Sequence, residues 1–265
     1  MKRIFAFISL ALLLSSHELF LKSDSYFLQA NSEAELYLFN GTFDESENII
    51  TRDRIINSQI IGPQYSIKPA ETAYYDKDEV TYLKFKTANA GTYVAGISTK
   101  ARGIELSGEK FTAYLEHEGL NDIVEKRAVQ GISDEAANEK YAKHVKALLQ
   151  VEETTSHYAE ELGYPIEFIP MKNPYDLALG EKISFKLLYE GKPLANQTVH
   201  ISSRKDSNQK EAGETMLKTD QNGEVSFTIN ASGQWYIATI HMIESKEDAY
   251  DYESQWATLT FEVKS

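Results

Sequence analysis

The sequence predicts a mainly β protein of two antiparallel β-sandwich domains with a short helical insert between them. Stretches that alternate apolar and polar residues recur between turn signals in both the first and last hundred residues. Aromatic side chains are abundant, with 16 Tyr and 12 Phe, and these favour a pleated, half-buried surface. A helical period occurs only in the middle of the chain.

Element by element, the chain opens with a basic pair, Lys2 and Arg3, then an apolar run from Ile4 to Leu14 and the small residues Ser15 and Ser16. That order predicts a secretory signal peptide over residues 1–16 and a periplasmic location. The apolar run is too short for a membrane span, which needs about 20 residues. The mature chain is therefore expected to carry no stable membrane anchor. Residues 17–106 read as the first sandwich, with strands at 17–22, 34–39, 81–86 and 92–98 and turns at Asn40-Gly41 and Asn89-Ala90-Gly91. Residues 107–162 read as the insert. Phe111, Leu115, Ile123 and Val124 share a helical face behind Ser107 as N-cap. Asp134 to His144 is rich in helix formers, and 152–161 reads as an exposed acidic linker. Residues 163–265 read as the second sandwich, with strands at 166–169, 182–189, 197–202, 224–229, 234–243 and 255–263.

Composition narrows the function. Without residues 1–16 the chain keeps 25 Lys and Arg against 40 Asp and Glu, a net charge of −15. Such a surface repels nucleic acid, which is not expected as a partner. The absence of cysteine excludes disulfides, thiolate metal sites and a cysteine nucleophile. No nucleophile elbow, phosphate-cradling glycine loop or His-Glu-x-x-His helix occurs, so no enzyme is predicted.

Cleavage after Ser16 makes His17 the first mature residue. An amino-terminal His offers a metal two nitrogens, its α-amine and its ring. With a further His these suit copper(II) or nickel(II). Cleavage after Leu14 would instead give a third-position His in Ser15-Ser16-His17. Of the other histidines, His117, His144 and His157 read as solvated, and His200 reads as an outward residue opposite Val199. His241, near the end of an apolar strand, is the expected partner of His17, with Glu253 as a third ligand. Strand alternation keeps Met242 from sharing a face with His241. Arg102, Glu105 and Lys110 are expected to clamp the first sandwich to the helices.

Several stretches carry a family resemblance: His17-Glu18-Leu19-Phe20-Leu21, Gly108 to Leu115, Leu188 to Leu194, Thr219 to Gly223, Gly233-Gln234-Trp235, Ile240-His241-Met242 and Glu253 to Glu262. Together they resemble an exported bacterial domain-of-unknown-function family often labelled as a nickel or cobalt uptake substrate-specific component. The resemblance implies Ig-like or transthyretin-like sandwiches and extracytoplasmic handling of nickel, cobalt or copper. It also implies a membrane metal transporter, inner or outer, as partner. The alternatives are a non-catalytic envelope adaptor and a copper oxidase with an amino-terminal His brace.

Overall fold

The computed structural model describes residues 18–204 and 213–264; the expected signal peptide and His17 lie outside them. The first strands are β1 (Glu18–Lys22), β2 (Phe27–Leu28), β3 (Glu33–Gly41), β4 (Ile55–Gly62), β5 (Tyr65–Ile67), β6 (Tyr74–Lys77), β7 (Val80–Lys86), β8 (Gly91–Thr99) and β9 (Arg102–Leu106). Helices α1 (Gly108–His117) and α2 (Asn121–Gln130) follow, and then β10 (Ala137–Val151). The last strands are β11 (Ile166–Pro170), β12 (Lys182–Tyr189), β13 (Lys192–Pro193), β14 (Thr198–Arg204), β15 (Thr215–Lys218), β16 (Glu224–Thr228), β17 (Gly233–Glu244) and β18 (Tyr252–Val263).

These strands form three sheets in layers. The long central sheet runs β15-β14-β17-β18-β10-β8-β4-β5, with β2 and β9 also on β10. One outer sheet, β1-β3-β7-β6, covers one face through Leu21, Leu38, Leu83, Tyr93, Ile97, Val145 and Leu149. The other, β11, β12, β13 and β16, covers the opposite face through Phe168, Phe185, Leu187, Ile237, Leu259 and Phe261. Alternation along β10 assigns its residues to the two faces: Val145 and Leu149 belong to the first core and Leu148 to the second.

The stretch from Asp134 to His144, expected as helix, is instead largely the start of β10. Its helix-forming composition is overridden because β18 pairs with it in parallel, from Glu139↔Tyr252 to Ala147↔Thr260, while β9 pairs antiparallel at Ala137–Tyr141. Strand propensity depends mostly on such neighbours. The helical stretch expected behind Ser107 does form, as two helices, α1 and α2, rather than one. Ser107 caps α1 by accepting from the Lys110 amide at 3.5 Å, as expected for an N-cap. Phe111, Tyr114 and Leu115 bury the inner stripe of α1 against Ile240, Met242, Tyr252 and Trp256 of the central sheet. Arg102, Glu105 and Lys110 are exposed and form no ion pair with one another among the described residues, so no clamp is built from them.

The Asp220–Gly223 turn forms through Gly223, at φ 73°, where a Cβ would meet the Leu194 amide nitrogen at 2.8 Å. The Asp220 carboxylate accepts from the Asn222 and Glu224 amides. Asn222 is not at positive φ, so the glycine alone supplies the left-handed residue.

Candidate functional site

The first described strand, β1, runs along a seam. Strand β1 is the edge of its sheet and lies along β18, where the hydroxyls of Thr258 and Thr260 donate to the Leu19 and Leu21 carbonyls. Leu19 and Leu21 point into the core, so alternation turns Glu18 and Phe20 the other way. Phe20 packs on Phe43 and Tyr236. Glu18, the first described residue of the strand, lies within range of the Glu118 and His200 charges.

That helix ends at Glu118, and Gly119 reverses the chain at φ 68°. A Cβ at Gly119 would come within 3.1 Å of Thr198 Cγ2, so this reversal holds the helix end close against β14. Glu118 is 4% exposed, and beneath it His200 is 3% exposed. His200 does point away from Val199, as the alternation predicts. It is not solvated, because α1 and β1 cover that face of the sheet. His117 stays open, with its side chain 64% exposed, and its Nδ1 donates at 3.1 Å to Glu118 Oε1. The rings of His117 and His200 are nearly parallel, with centroids 6.5 Å apart.

His200 is held unevenly. Its Nδ1 lies 3.1 Å from Glu214 Oε2, and Tyr236 donates to the other Glu214 oxygen at 3.0 Å. Its Nε2 has only long contacts, 3.4 Å to the Glu118 carbonyl and 3.7 Å to Glu118 Oε2. Glu118 and Glu214 thus flank one imidazole. Desolvation and then the Glu118 charge push the Glu18 carboxyl up to about 8. Burial alone would lower His200, but the Glu214 hydrogen bond and the Glu118 charge raise it to about 9. Below these, burial and then the Arg54 charge push Lys143 down to about 7, against the opposing pull of Glu18, Glu139 and Glu118.

The other expected ligands lie elsewhere. His200 pairs with Ala238 across the strands, so His241 projects from the opposite face of the central sheet. There it bonds Gln197 Oε1 at 3.0 Å through Nδ1 and meets the Tyr189 ring at 4.5 Å. Glu253 shares that face, pairing with Ile243, and accepts from Lys140 at 3.4 Å. The sheet therefore separates His241 and Glu253 from Glu18. His144, expected as solvated, is buried between Ser98 Oγ and Gln255 Oε1, each at 2.7 Å. Among the described residues, no group of three or more His, Asp or Glu side chains already stands at metal-ligand spacing.

A family model described as Domain of unknown function (DUF4198) matches residues 14–243. The chain belongs to that family. The DUF4198 match spans both the seam and the His241 strand. No curated protein matches the chain in sequence. Among solved structures it is similar to the D0–D1 domain of Intimin, at 12% identity over 93% of this chain and 98% of that one, with a TM-score of 0.23. It is also similar to trypsin-activated alpha-2-macroglobulin from Escherichia coli, at 9% identity over 93% of this chain and 16% of that one, TM-score 0.23. A fragment of the ICAM-5 ectodomain, D1–D4, matches at 7% identity over 90% and 48%, TM-score 0.23. At these scores the β-sandwich assignment rests on this chain's own sheets. Among the described residues, no helix is long and apolar enough to cross a membrane.

From the sequence alone His117 reads as solvated and His200 as an outward strand residue, and Glu18, Glu118 and Glu214 are not singled out. Two signals pointed to the first two carboxylates: Glu18 directly follows His17, and Glu118 directly follows His117 at the end of an amphipathic stretch. Nothing local marks Glu214, which reaches His200 from the far side of a strand connection.

Proposed function

We propose that the protein handles a transition metal, nickel, cobalt or copper, outside the cytoplasm, as a binding protein that serves uptake or delivery rather than as an enzyme. The observation that supports this is the surroundings of Glu18. Beside it the buried His200 imidazole is flanked by the Glu118 and Glu214 carboxylates, nitrogen and oxygen donors of the kind these ions take. An amino-terminal His17 would add its amine and ring as further nitrogen donors. A membrane metal transporter is the partner that this role calls for.

Native mass spectrometry of protein recovered from the periplasm without chelators tests the proposal. A mass starting at His17 plus one nickel, cobalt or copper ion supports it. A metal-free mass that stays so after each ion is added overturns it and favours an envelope adaptor.

A further inference from the structure

Apart from metal handling, we infer that the cleft beside the end of α2 binds a free amino acid. Its carboxylate accepts from Arg127, and its ammonium is met by Glu135 and Asp248.

The cleft lies between the end of α2, the turn that leads into β10 and the connection from β17 to β18, and encloses about 420 Å³. Arg127, in the last turn of α2, lines it and yet is only 3% exposed. Gly131, at φ 73°, ends the helix and turns the chain back. The Ile132 and Glu135 carbonyls then accept from Arg127 Nη2 at 2.8 and 2.7 Å. The guanidinium carbon lies 5.0 Å from the centre of the Phe111 ring and 5.9 Å from that of Tyr252. Nε is buried and has no hydrogen-bond partner. No carboxylate pairs with the group among the described residues. A buried charge is ordinarily paired, and the flat guanidinium fork is matched to a carboxylate. Arg127 thus holds a buried positive charge, with unused donors, at the wall of a cleft.

The acids of the cleft are occupied elsewhere or lie in solvent. Glu244 pairs with Lys126 at 2.6 Å, Glu247 pairs with Lys140, and Asp251 accepts from the Asn138 amide at 2.7 Å. Glu135 and Asp248 are exposed, and their carboxylates make no hydrogen bond or ion pair among the described residues.

These charges decide the class of ligand. A simple anion would meet five lining carboxylates against Arg127 and the exposed Lys246. A simple cation would add its charge to a buried guanidinium. An amino acid carries both signs on one carbon and answers each. The size agrees, because ligand clefts run from about 300 to 1,000 Å³ and this one is near the small end. The far wall is already set, since the Asp251 amide donates to the Asn138 carbonyl at 2.8 Å and the Ser245 amide to the Asp251 carbonyl at 2.9 Å. A fixed wall lowers the ordering cost of binding.

A thermal-shift screen against the common amino acids at millimolar concentration, with chelator present to exclude metal effects, tests the site. At least one amino acid is expected to raise the melting temperature, and calorimetry then gives its affinity. The amide of that amino acid lacks the carboxylate and its N-acetyl form lacks the ammonium. Loss of the carboxylate, or Arg127→Gln, is expected to weaken binding by at least about tenfold, as for other hydrogen bonds between charged groups. Glu135→Gln and Asp248→Asn together are expected to weaken it by about fivefold, as for exposed charge pairs, without lowering the melting temperature of the free protein. The N-acetyl form is expected to lose a similar factor. If Arg127→Gln fails to fold, the exposed pair and the two analogues carry the test. A screen in which no amino acid binds overturns the inference. So does acetate or the N-acetyl form binding as tightly as the amino acid, or unchanged affinity in the folded variants.

Discussion

Burial pushes the His144 imidazole below its ordinary value, against the Gln255 hydrogen bond. Because the folded ring resists protonation, the unfolded chain binds the extra proton first. The contribution of this group is complete above the unfolded value of about 6.5 and is lost as pH falls below it. Denaturant unfolding at pH 7 and pH 5 should therefore show a smaller acid loss in His144→Asn than in wild type; an equal loss would refute this role. A second buried pair sits on the same strand face. Lys146 Nζ donates to Glu167 at 2.8 Å and to the Phe168 and Glu160 carbonyls at 3.1 Å. Glu167 also accepts from the amides of Leu162, Gly163 and Tyr164. Removing one partner of such a pair costs about 3–5 kcal/mol. Glu167→Gln should cost that much, because it leaves a buried ammonium. Lys146→Met should cost less, because three amides still hold the Glu167 charge. The reverse order in chemical denaturation would show that the lysine, not the carboxylate, organises the loop.

At the scale of elements, α1 links the fold to the seam. Phe111 is fully buried and packs on Tyr252, and Tyr114 stacks on Trp256 at 6.0 Å. Truncating a buried Phe to Ala costs about 3–5 kcal/mol. Phe111→Ala should lower stability by that amount and loosen Glu118 over His200, detectable as faster amide exchange at residues 114–120. The Ser107 cap, at 3.5 Å, is long, so Ser107→Ala belongs at the low end of cap losses, about 0.5 kcal/mol. The elements also show how far local pattern reaches. The period of Phe111, Leu115, Ile123 and Val124 marks one helical stretch, which the chain reversal at Gly119 divides into α1 and α2. The alternation around His200 and His241 marked the strands and showed which neighbours share a face. The Ala, Glu and Lys of 134–144 misled, because a strand buried on both sides and paired on both edges is chosen by its partners rather than by its own residues. The same buried strand holds Glu139, Lys143, His144 and Lys146, whose charges sequence alone assigns to solvent.

The molecule as a whole is joined by one long sheet. Strand β10, from the middle of the chain, lies between β8 of the first half and β18 of the last. A fragment ending near residue 162 would expose the full β18-facing edge of β10 and its apolar second face, which invites edge-to-edge pairing. Residues 17–162 expressed alone are therefore expected to aggregate, and the whole chain to unfold in a single calorimetric transition. Two well-separated transitions, or a dispersed NMR spectrum from the fragment, would show that the halves are independent.

By itself the sequence determined the strand-rich class and the helical stretch behind Ser107. Each of these follows from short-range chemistry: side-chain period and capping. Only the tertiary structure decided that the sandwiches share a central sheet, that His200 lies covered beneath Glu118, and that His241 faces the other way. Alternation tells which residues of one strand lie together, but not which face will be covered or by what. That choice belongs to contacts between residues far apart in the chain, such as Glu118 with His200.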